Sequence, residues 1–185
     1  LGRVMSFAGL LHSGNMSDPD IGKFYQSMQE RVNEISTELL FFSLEINRID
    51  EDALQDKLKA PELAHFGPWL RDTRAYRDHQ LSDELEQLLH EKYVSGRAAW
   101  TRLFDETMAR LRFPYEADEL TTSEILDRLS HKDGAVRKAA SESLSKVLEQ
   151  NIGLFALITN TLAKDKQTED KWRKFPRPIS GRNLA

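Results

Sequence analysis

The chain has 185 residues, 39% of them hydrophobic and 30% charged, and its 26 Lys and Arg against 30 Asp and Glu give a formal net charge of -4. That length holds one ordinary domain with a core, and the lean apolar content predicts a surface-rich, elongated shape. The nearly cancelling charge excludes the global field of a nucleic-acid binder. The absence of cysteine excludes disulfides and thiolate metal sites and fits a reducing cytoplasm, and no apolar run nears the ~18 residues of a membrane span.

Residues 4–11 read as the tail of a helix begun outside the sequence and closed by Ser13, Gly14 and Asn15. Apolar residues then recur at Ile21, Tyr25, Met28, Val32, Ile35, Leu39, Phe42, Ile46 and Ile49. Steps of four and three predict one helix of ~43 Å at ~1.5 Å per residue. Asp18 is its expected N-cap and Pro19 its first helical residue, where a missing N–H costs nothing. The run Leu39, Leu40, Phe41, Phe42 is apolar on more than one face, which predicts burial by at least two neighbours. Proline at Pro61 and Pro68 punctuates a middle stretch of short helices and turns.

Asp83 and Glu86 form an expected capping box for a second long helix, with a stripe through Leu85, Leu88, Tyr93, Trp100, Leu103, Phe104, Met108 and Leu111. Gly96 and Ala99 on that helix permit a close neighbour. Beyond it, the pieces 111–115 and 119–121 flank Glu116, Ala117 and Asp118 as a short β-hairpin, and Thr121 with Glu124 opens a short helix. Asp133 starts the last long helix, with a stripe running through Val136, Ala140, Leu144, Val147, Asn151, Phe155, Ile158 and Leu162; Asn151 is expected to hydrogen-bond a neighbouring helix. From Lys164 seven cations face three carboxylates, a surplus of four that leaves about -8 on the remainder.

Catalytic chemistry is absent from this pattern. A zinc hydrolase needs two imidazoles one helical turn apart with a carboxylate beside the metal-bound water. No two of His12, His65, His79, His90 and His131 have that spacing. His90-Glu91 is followed by Val94 where the second ligand would stand, so His90 is expected to be a solvent-side histidine. The serines lack a G-x-S-x-G elbow, the nine glycines form no phosphate-cradling loop, and the carboxylate runs read as a solvated face. The catalytic, cofactor-binding and metal-ligand sets are therefore all predicted to be empty. Trp172 and Phe175 in the basic tail could stack single-stranded nucleic acid, but the acidic remainder favours docking on protein.

Several short patterns fall in order along the chain: L-L-F-F-S-L-E-I-N-R-I-D, R-A-A-W-T-R-L-F-D-E-T, L-T-T-S-E-I-L, V-R-K-A-A, and N-T-L-A-K-D-K followed by W-R-K-F. Together they resemble the N-terminal region of the oligoendopeptidase F family, zinc metallopeptidases of the thimet oligopeptidase superfamily. The resemblance implies a helical region, 1–185, cut at both ends. In the family this region forms one wall of a deep channel that admits short peptides, while zinc and its His-Glu-x-x-His helix lie downstream. It implies zinc in the parent enzyme and none in this piece, partners in an oligopeptide substrate and the C-terminal catalytic domain, and residues 164–185 as a basic connector toward that domain. No nucleic acid or membrane partner is implied, and no family catalytic or metal residue maps here.

The expected fold is mainly α, an elongated bundle of long antiparallel helices with at most one short β-hairpin. Phe42 and Leu103 are expected core residues whose replacement by Ala costs ~3 kcal/mol. The competing functional reading is a stand-alone helical adaptor without enzymatic activity.

Overall fold

The computed structural model describes residues 1–184, and the chain is mainly helical with one two-stranded hairpin. In order come α1 (Gly2–Gly14), α2 (Pro19–Arg48), α3 (Glu51–Lys57), α4 (Pro61–Ala64), α5 (Gly67–Arg74) and a 3-10 turn at Arg77–His79. They are followed by α6 (Asp83–Lys92), α7 (Arg97–Arg110), β1 (Phe113–Tyr115), β2 (Asp118–Leu120), α8 (Thr122–Arg128), α9 (Gly134–Gln150), α10 (Ile152–Trp172) and α11 (Ser180–Leu184). Residues 1–29 with 95–162 form one compact unit, and residues 30–94 with those from 163 onward form another.

The helix starts follow local chemistry. Asp18 Oδ1 accepts from the N–H groups of Asp20 (2.9 Å) and Ile21 (3.2 Å) ahead of α2, satisfying donors that a helix N-terminus leaves orphaned. Asp133 Oδ1 does the same for Ala135 N–H at 2.8 Å, and Thr121 and Glu124 close a full capping box on α8.

Two expected long helices are each broken. The stretch 83–111 divides into α6 and α7, with Gly96 as the N-cap of α7 at φ -99° and ψ -112°, because glycine weakens a helix interior and tolerates such an angle. The stretch from Asp133 divides at Asn151, the C-cap of α9. Its side chain donates back to Val147 C=O of its own helix at 2.9 Å, not to a neighbouring helix.

In the first unit the dense core lies at the hairpin. Phe113, Ile125, Ala140 and Val147 are buried together, with Leu111, Tyr115, Leu120, Leu129 and Leu144 packed around them. Phe113 and Ile125 are wholly inaccessible. The antiparallel register pairs Phe113 with Leu120 and Pro114 with Glu119; on a two-stranded sheet a proline sacrifices little ladder bonding. Glu116, first of the two loop residues, has φ 55°, the sign that hairpin turns matching strand twist require.

In the second unit Leu44, Ile46 and Leu54 are buried, and polar contacts tie the elements together. Arg74 donates to Ile46 C=O at 2.6 Å and to Glu51 Oε2 at 3.0 Å, Asn47 Nδ2 donates to Gln80 Oε1 at 2.8 Å, and Arg48 pairs with Asp83. The expected burial of 39–42 is not found: Leu39, Phe41 and Phe42 are each more than half exposed, although Phe42 stacks on Trp69. Leu103, in the first unit, is also exposed. Periodicity finds the apolar face of a helix, and which part of that face is covered depends on partners distant in sequence.

Candidate functional site

The five histidines are dispersed, and each has a different partner. His12 is buried and stacks on Tyr25 with ring centroids 4.7 Å apart. His65 meets the edge of Phe66, and His131 Nδ1 accepts from Asp133 N–H at 3.1 Å. His90 is half-buried with Nε2 2.8 Å from Ser36 Oγ, so it is an interhelical contact and not the solvent-side residue expected. Among the described residues no three His, Asp or Glu side chains come together as metal ligands. The described residues therefore do not fit a zinc site.

The most constrained polar constellation lies where the chain leaves α10. Phe175 N–H bonds Asp170 C=O at 2.9 Å and Lys174 N–H bonds Lys171 C=O at 3.2 Å, the paired bonds of a Schellman cap. Lys174 holds the left-handed position at φ 58°, where glycine is usual. This turn aims Arg173 at Glu86 in a bidentate pair of 2.6 and 2.9 Å, with a further bond to Glu169 at 2.6 Å.

His79 Nδ1 lies 2.7 Å from Arg173 C=O while Arg173 donates back to His79 C=O at 3.3 Å. Because a carbonyl only accepts, His79 carries a proton on Nδ1. Its ring sits 4.1 Å from that of Phe175, and Tyr76 O–H donates to Gly181 C=O at 2.6 Å. Burial alone would push the Glu86 carboxyl up, but hydrogen bonds from Arg173 and Leu81 N–H outweigh it and hold Glu86 below the usual carboxylate range. The guanidinium of Arg173 is shifted upward, chiefly by its hydrogen bond to Glu86.

Glu86 was expected in a capping box with Asp83; Ser82 is the N-cap of α6 and makes no side-chain cap bond, while Glu86 Oε1 accepts from Leu81 N–H at 2.9 Å. This constellation clamps the segment after α10 onto α6 and the 3-10 turn. Arg173 satisfies Glu86 and Glu169 together, which makes this a structural clasp.

For this helical frame, comparison with other proteins is decisive for the fold. Residues 45–113 match the Oligopeptidase F family model. That match takes in α3 to α7 and a little over a third of the chain, and the resemblance is to the N-terminal region of Oligopeptidase F. The crystal structure of oligoendopeptidase-F from Enterococcus faecium superposes with a TM-score of 0.84 at 23% identity, covering 98% of this chain and 36% of that one. A candidate peptidase from Chlamydophila abortus superposes with a TM-score of 0.64 at 13% identity, covering 96% of this chain and 31% of that one. The chain thus shares its fold with about a third of the length of these structures. No curated protein matches the chain. Among the described residues no helix is long and apolar enough to cross a membrane.

Proposed function

We propose that this chain is the non-catalytic, channel-wall region of a zinc-dependent oligopeptidase that hydrolyses short peptides in the cytoplasm. The observation that carries the reading is the likeness to oligoendopeptidase-F over 98% of this chain but only 36% of that one. A wall of helices limits entry to short, unstructured peptides and lends them binding surface, while the chemistry is done elsewhere. Zinc in the parent belongs to a C-terminal catalytic domain, which with the oligopeptide is the partner of this region. The residues from Lys164 to the end serve as the connector toward that domain.

The coding sequence beyond Ala185 tests this reading. An in-frame His-Glu-x-x-His followed by a further glutamate ligand is the expected result. A stop codon near Ala185 would leave a helical adaptor instead and overturn the assignment.

A further inference from the structure

Within the second unit, the C-terminal half of α10 and the return segment 173–178 enclose an open groove of about 820 Å³. Its walls carry Lys164, Lys166, Lys171, Lys174 and Arg177 against the single acid Asp170. That acid is already neutralised, since Lys166 Nζ reaches both its oxygens at 2.7 Å. Lys164 Nζ donates to the neutral Gln167 at 2.8 Å. Lys171, Lys174 and Arg177 make no ion pair among the described residues. The C-terminal dipole of α10 favours cations at Lys171 and Lys174, but Arg177 lies five residues past Trp172, beyond the reach of that field. Between the charges the lining is apolar, with Phe175 and two prolines.

We propose that this groove binds acidic peptide segments, taking their carboxylates on Lys171, Lys174 and Arg177 and the apolar side chains between them against Pro176 and Pro178. Charge complementarity fixes the sign of the partner. Two observations favour a peptide over single-stranded nucleic acid. Phe175 is committed to His79 at 4.1 Å and edge-on to Tyr76 at 6.4 Å, so its ring is no open platform for a base. The prolines offer apolar contact suited to aliphatic side chains.

Fluorescence anisotropy with the full chain tests it, using a labelled peptide in which Glu alternates with Leu, its Gln-for-Glu counterpart, and an oligothymidylate of equal charge. K174G is the informative variant. Glycine is at ease at φ 58°, so this variant loses a groove cation without losing the fold. K171Q/R177Q removes the other two, with far-UV circular dichroism confirming the helices. The acidic peptide should bind, weakening as salt rises, and exposed charge pairs predict about 3-fold weaker binding for K174G and about 10-fold for the double variant. An acidic peptide that does not bind, binds no better than its Gln counterpart, or is indifferent to both variants overturns the proposal. So does tighter binding of the oligothymidylate.

Discussion

Arg173 reaches 87 residues back along the chain to grip both carboxylate oxygens of Glu86, at 2.6 and 2.9 Å, with the two side chains only 16% and 12% exposed. A bidentate guanidinium–carboxylate pair shielded this far from water is short, directional and weakly screened. Removing one partner strands the other charge. Glu86→Ala should therefore destabilise the chain by about 2 kcal/mol, below the cost for a fully buried pair because some exposure remains. Equilibrium urea unfolding measures it, and a loss under about 0.5 kcal/mol, the scale of an ordinary surface change, would reduce the clasp to an ornament of the surface.

The same pair sets a pH dependence. Glu86 has a folded-state pKa lowered from its usual 4.5, so it binds its proton less readily folded than unfolded. Its contribution is complete above that value and is lost as pH falls through the folded pKa. Glu86→Gln, already uncharged, should unfold at neutral pH more easily than the parent and show a shallower loss of stability on acidification below pH 4.5. Identical pH slopes for the two proteins would remove Glu86 from the acid response.

The core at the hairpin makes a second kind of prediction. Phe113 and Ile125 are fully buried while Phe42 is 53% exposed and Leu103 40% exposed. Phe113→Ala should cost about 3–5 kcal/mol and Ile125→Ala about 2–5 kcal/mol, whereas Phe42→Ala and Leu103→Ala should each cost under about 1 kcal/mol in this chain. Thermal unfolding of the four variants ranks them, and the reverse order would return the core to the long helices.

Relief of backbone strain gives a stabilising change. Glu116 holds φ 55°, a region costly to any residue with a Cβ. Glu116→Gly should raise stability by about 1 kcal/mol, net of the extra freedom glycine gains on unfolding. A lower melting temperature would mean that the side chain of Glu116 does more for the turn than its backbone costs.

What the sequence made legible was local. The caps at Asp18, Thr121 and Asp133 could be read because donor and acceptor stand two or three residues apart, and the hairpin could be read because Pro114 and the polar loop bracket it. The breaks at Gly96 and Asn151 were missed because the apolar stripe runs on in phase through both, so periodicity reports one helix where the backbone makes two. Burial was misjudged at Phe42 and Leu103 for a related reason: amphipathicity marks a face without marking its cover. Nothing near Glu86 or Arg173 announces a partner 87 positions away, and Glu86 was drawn to Asp83 by proximity alone. The contact of His90 with Ser36 crosses 54 residues and carried no short-range signal.

The most direct test of the central claim is hydrolysis of an internally quenched peptide by two proteins, the 185-residue chain and the same chain extended through its reading frame to the next stop. The extended protein should cleave, lose activity to a chelator and recover it with zinc, while the 185-residue chain stays inert under every condition. Cleavage by the 185-residue chain alone, or an extended protein whose activity ignores the chelator, would contradict the account.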